Sequence, residues 1–139
     1  MRRPPFSRLS YALLALGTIV LGLGVHWHGD VFGPTARDVL GDATWAAMMA
    51  WWVAVLVPAA SIRDRGFVAL TICFAVEASQ LYHTPALDAL RRTTFGALTL
   101  GSGFDPRDLL AYTLGVAAAG LFERILRRSL GRTSHRGAI

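Results

Sequence analysis

Four stretches of this chain, Leu9 to His26, Ala43 to Ala60, Gly66 to Tyr82 and Leu109 to Leu126, are long and apolar enough to cross a membrane as helices. A hydrocarbon core of about 30 Å takes roughly 17 to 25 helical residues at 1.5 Å each. All four stretches sit near the short end of that range, which implies a thin bilayer or little tilt. Composition agrees, because 53% of the 139 residues are hydrophobic and only 17% are charged, too apolar for an ordinary soluble domain. The predicted fold is therefore all-α: a polytopic integral membrane protein in which residues 1–139 form one four-helix transmembrane bundle. A long outer connection joins its third and fourth helices.

The first stretch follows Arg2, Arg3 and Arg8 as a secretion signal would, but "VHWHGD" after it offers no small-residue cleavage site, so it reads as a retained helix. All fourteen cationic side chains are Arg. Ten of them lie in the N-terminus, in "SIRDRG" and in the C-terminal tail, against four in the 26–42 and 83–107 connections. Cationic loops resist translocation, so both termini are expected in the cytoplasm, with Trp27, Trp45 and Tyr82 in the outer aromatic belt. The net charge of +5 sorts by segment and forms no basic stripe on a soluble module, which excludes nucleic acid as a partner. Cys73 is alone, so there is neither a disulfide framework nor a paired-thiol site. His26 and His28 flank Trp27 without a third ligand placed by spacing, so no metal and no cofactor are expected. Pro58 should loosen the end of the second span. Thr84 and Pro85 read as cap and first turn of a short interfacial helix to about Arg92. "FGALTLGSG" is too short to cross and is expected at the outer interface.

Polar residues interrupt "FAVEASQLYH", residues 74 to 83, at the outer end of the third span. Glu77 stands about 9 Å below His83, and Gln80 lies between them on a neighbouring stripe of the same expected helix. Asp42 opens the second span and Asp108 the fourth, with Tyr112 about 6 Å further in. Arg91 and Arg92 lie in the long connection. Each aspartate also reads as a simple helix cap, and the two arginines as contacts for lipid headgroups. Ala111, Gly115 and Ala119, at four-residue spacing, read as a close helix contact. Glu77 has no such ordinary reading, because a carboxylate in hydrocarbon costs at least about 2.5 kcal/mol on insertion scales. Either Arg91 folds back and pairs with it, or it is protonated and donates to Gln80, Tyr112 or a ligand.

"VLGDATWA" (39–46), "EASQLYH" (77–83), "LDALRRTTFGALTLGSGF" (87–104) and "DLLAYTLG" (108–115) resemble an uncharacterised bacterial inner-membrane family, a domain of unknown function. More distantly, Asp42, the E-x-x-Q of Glu77 and Gln80, Arg91, and the D-x-x-x-[NY]-x-x-G of Asp108, Tyr112 and Gly115 are similar to VanZ-like proteins, which are associated with glycopeptide (teicoplanin) resistance. The chain departs from that pattern at Trp45, near which a His is usual, and at Tyr112, where Asn is usual. The resemblance implies a location in the bacterial plasma membrane and no settled activity. The residues together imply an outward-facing polar cavity in which Asp42, Glu77, Gln80, Arg91, Asp108 and Tyr112 bind a membrane lipid or another lipid-linked or amphiphilic ligand. Two alternatives use the same residues. One is an acid/base enzyme on a lipid-borne substrate, with Glu77 moving the proton and Arg91 steadying charge. The other is a small structural subunit that oligomerises through the Ala111–Gly115–Ala119 stripe.

Overall fold

The computed structural model describes residues 6–101 and 103–136, with side chains as far as Leu130. Arg2, Arg3, the side chains of the C-terminal tail beyond Leu130, and Ser102 of the "GSG" turn lie outside the described residues. The described chain is helical throughout: α1 (Arg8–His28), α2 (Pro34–Leu56), α3 (Ile62–Ser79), α4 (Pro85–Arg91), α5 (Thr94–Leu100) and α6 (Pro106–Arg136). A single 3-10 turn (Gly29–Phe32) follows α1. Helix α2 packs against α1, α3 and α6, α3 packs also against α6, and α4 packs against α5.

Local chemistry sets most of the helix ends. Ser7 caps α1 by accepting from the Ser10 N–H, and Ser61 caps α3 by accepting from the Asp64 N–H. Thr84 caps α4 by accepting from the Leu87 N–H, and Pro85 supplies its first turn, as the sequence predicts. Helix α2 departs from expectation at both ends. It begins at Pro34, nine residues before the apolar stretch does, because Gly33 and Pro34 provide the start signal that hydropathy overlooks. It stops at Leu56 with Val57 as its cap, so Pro58 lies in the turn beyond and loosens nothing. Asp42 consequently does not open α2 but stands about two turns inside it. Helix α3 ends at Ser79, so His83 is outside the helix on which it was expected.

Three helices, spanning Arg8–Phe32 with its terminal turn, Pro34–Leu56 and Pro106–Leu130, are long and apolar enough to cross a membrane. The expected third span, Gly66 to Tyr82, corresponds to an eighteen-residue helix carrying Arg63, Asp64, Arg65 and Glu77, so it lacks the charge-poor eighteen-residue stretch that each of the three longer helices contains. Most of the expected long connection is helical: α4 is the short helix that Thr84 and Pro85 announce, and α5 adds a second.

The surface is that of a membrane protein: Val20, Phe67 and Leu9 are each about 70% exposed, whereas Glu77 and Arg65 are 0% and 2% exposed. An aqueous protein would reverse that arrangement. One buried cluster joins Ala46, Val53, Ala69, Cys73, Tyr112 and Val116 between α2, α3 and α6. A second joins Tyr11, Ala15, Trp51, Ala54 and Ala119 between α1, α2 and α6. Small residues let the backbones approach. A methyl on Gly115 would sit 2.1 Å from the Ala43 carbonyl oxygen, so only glycine permits the crossing of α2 and α6. The Ala111–Gly115–Ala119 stripe is therefore a close helix contact, made within the chain.

Candidate functional site

Glu77 is fully enclosed where α3 ends against α6. Its carboxyl group accepts three hydrogen bonds: from the Gln80 amide nitrogen at 3.0 Å, from the Tyr112 hydroxyl at 2.9 Å and from the Asp105 backbone N–H at 2.7 Å. Three segments thus supply donors to one carboxyl group, which is how a buried acid avoids the cost of lost hydration. The sequence leaves open whether Glu77 pairs with Arg91 or donates to Gln80 and Tyr112. In the structure Gln80 and Tyr112 are the donors and Glu77 is the acceptor.

Arg91 is elsewhere. Its guanidinium donates to the Ser79 carbonyl at 2.7 Å, to the Tyr82 carbonyl at 2.9 Å and to Asp88 at 3.4 Å. Ser79 ends α3, its carbonyl accepting also from the Tyr82 N–H of the turn that follows, so a cation there is favoured both by hydrogen bonding and by the negative end of the helix dipole. Arg91 fastens α4 to the end of α3 and does not reach Glu77.

A recess of about 980 Å³ opens beside this cluster, between α1, the first half of α2, the α5 segment and the start of α6. Four of the six candidate residues line it: Asp42, Gln80, Asp108 and Tyr112. Glu77 and Arg91 stand behind its wall and hold it in place. Asp42 and Asp108, brought to one level by the neighbouring α2 and α6, are within hydrogen-bonding reach of each other. Trp45 packs on the Tyr112 ring with centroids 5.5 Å apart. The Gln80 side chain is held on one side by Glu77 and on the other by Gly101, where any side chain would collide with the amide. Its oxygen is buried and has no partner. At the rim, Arg107 donates to the Asp105 carboxyl from both its side chain and its backbone N–H, which holds that acid below the usual carboxylate range. The opposite wall is apolar, with Ile19 and Leu23 of α1 and Met48 of α2. No three His, Cys, Asp or Glu side chains among the described residues are placed to hold a metal ion.

A second polar cluster, absent from the sequence reading, lies at the other end of the bundle. Glu123 of α6 accepts from the Tyr11 hydroxyl at 2.6 Å, from Arg65 at 2.7 Å and from Arg127 at 3.0 Å. The Arg65 guanidinium also lies 4.9 Å from the centre of the Tyr11 ring. The orientation count treats both arginines as loop charge. The four-residue spacing of Glu123 and Arg127 is the one available sign of this cluster.

The helices and their buried charges define an all-helical membrane protein with a polar cluster sheltered at each end. Residues 33–116 match DUF2809, a family of proteins of unknown function, and the chain belongs to that family. The matched region runs from the start of α2 to the Gly115 crossing and contains all six candidate residues. No solved structure matches the chain.

Proposed function

We propose that this protein binds an amphiphilic, lipid-like ligand in the recess beside α5, with the head of the ligand against Asp42, Gln80 and Asp108. The observation that carries the reading is the union, in one recess of about 980 Å³, of an apolar wall on α1 and α2 with a polar floor. That volume is at the upper end of the range for ligand pockets and leaves room for a headgroup and part of a chain. The exposed apolar flank of α1 adjoins the wall, so a ligand can arrive from within the bilayer.

Helix α3 completes a four-helix membrane bundle in this reading. Its charges at Arg65 and Glu77 are buried against α6 instead of facing lipid, which makes crossing tolerable. The arginine distribution supports a recess at the outer face of a bacterial inner membrane, with both termini in the cytoplasm. The similarity of Asp42, Gln80, Asp108 and Tyr112 to the VanZ-like pattern supports the choice of polar residues. Binding is favoured over acid/base chemistry because Glu77 is enclosed and does not line the recess.

Native mass spectrometry of the protein extracted with its lipids tests this reading. A bound lipid should survive detergent exchange in the wild type and be lost in Leu23→Trp, which fills the recess from the α1 side. Retention of the same lipid by a folded Leu23→Trp variant would refute it.

A further inference from the structure

We infer that the ligand carries a primary ammonium group, which is held at the polar floor of the recess as the head of a membrane aminolipid. The inference rests on the binding reading above and adds the chemistry of the head. The charged groups at the floor, Asp42 and Asp108, are both carboxylates. Asp42 and Asp108 face each other within hydrogen-bonding reach, and two carboxylates so placed are relieved by a proton or a cation between them. Gln80 adds a neutral acceptor: the residue is 4% exposed, its amide nitrogen is committed to Glu77, and its buried oxygen has no partner. Both sides of that amide are fixed, by Glu77 and by Gly101, so the oxygen cannot turn away. The Tyr112 hydroxyl and the Gln80 nitrogen donate to the same oxygen of Glu77, and Asp108 stands one turn before Tyr112, which brings the acceptors together.

Among the described residues, three of the arginines near the recess are engaged within the chain, while Arg92, exposed at its wall, is left to meet the phosphate beside such an ammonium. Arg91 is on the α3 carbonyls, Arg37 is 2.8 Å from Asp30, and Arg107 is 2.9 Å from Asp105. A primary ammonium has three N–H donors, and Asp42, Asp108 and the Gln80 oxygen are three acceptors. A trimethylated ammonium has the charge without the donors. A bare metal ion fits poorly, because no three acidic, His or Cys side chains are grouped closely enough among the described residues.

The test uses the full chain in nanodiscs of equimolar phosphatidylethanolamine, phosphatidylcholine and phosphatidylglycerol, released into the gas phase for native mass spectrometry. Retained phosphatidylethanolamine should exceed phosphatidylcholine by at least about tenfold, since the two heads differ mainly in hydrogen bonds to charged acceptors. Asp42→Asn and Asp108→Asn should each lower that preference while leaving the circular-dichroism spectrum unchanged. Dodecylamine should displace the bound lipid, and dodecanol should not. Should dodecylamine be retained strongly while phosphatidylethanolamine is not, the ammonium head stands and the lipid is not a phospholipid. Equal retention of the two zwitterionic lipids, a preference for phosphatidylglycerol, or a preference surviving both substitutions overturns the ammonium assignment and leaves the recess as a lipid site. If no lipid is retained and dodecylamine does not bind, the binding reading itself falls.

Discussion

Replacing Glu77 by leucine tests the organisation of the site most directly, because one substitution removes the acceptor for three donors on three segments. The Asp105 N–H, the Tyr112 hydroxyl and the Gln80 amide would all be left open. An unsatisfied buried donor costs about 1–3 kcal/mol. Gln80 and Tyr112 border the recess, where water can replace the lost acceptor, so each belongs at the low end of that range. The Asp105 N–H stands at the rim of the recess, where water can replace its acceptor as well. The expected destabilisation of Glu77→Leu is then about 3 kcal/mol, set against the smaller relief of no longer burying an acid. Stability would be read by unfolding in mixed micelles with increasing dodecyl sulfate, followed by far-ultraviolet circular dichroism. Tyr112→Phe completes a double-mutant cycle. It should cost about 1 kcal/mol in the wild type and almost nothing in the Glu77→Leu background, where the hydroxyl has already lost its partner. A Glu77→Leu variant as stable as the wild type, or strictly additive effects of the two changes, would refute this account and leave Glu77 as a packing residue only.

Further substitutions probe other parts of the bundle. Gly115→Ala forces a methyl roughly 1 Å inside ordinary contact with the Ala43 backbone and should cost about 2–3 kcal/mol in the same assay. Gly17→Ala meets nothing within 4 Å and should stabilise by up to about 1 kcal/mol, so the pair separates crowding from helix propensity. Glu123→Ala strands the buried Arg65 and should lose about 3–5 kcal/mol; an effect under about 1 kcal/mol would show that solvent reaches that cluster. Arg91→Ala uncovers the Ser79 and Tyr82 carbonyls, and hydrogen exchange should rise in α4 and the last turn of α3 but not in α1.

The sequence discloses the helices better than their limits. Hydropathy locates α1 closely, but it ends the fourth helix at Leu126 where α6 continues to Arg136, and it places the start of α2 at Ala43 although the Gly33–Pro34 signal is legible. That error makes Asp42 a terminal cap when it is an interior residue facing Asp108. Periodicity carries Glu77, Gln80 and His83 along one seam, yet only the first two share a site, because the helix stops at Ser79 before His83 is reached. The lone acid at Glu77 is legible from the cost of burial. The role of Arg91 is not, since nothing local tells a long side chain whether to seek a carboxylate or a carbonyl twelve residues back. The Tyr11–Arg65–Glu123–Arg127 cluster joins three helices, and only its Glu123–Arg127 pair lies within the reach of a helical repeat.

The segment that roofs the recess is fastened at three places. Arg91 ties α4 to α3, Gly101 sits on Gln80, and the Asp105 N–H is bound to Glu77. A hinged lid needs one loose edge, and α5 is secured on both sides, by Arg91 before it and by Gly101 and the Asp105 N–H after it. Swinging it away would break all three fastenings at once. It is therefore a fixture and not a flap, and traffic into the recess should run sideways, through the gap between α1 and α5.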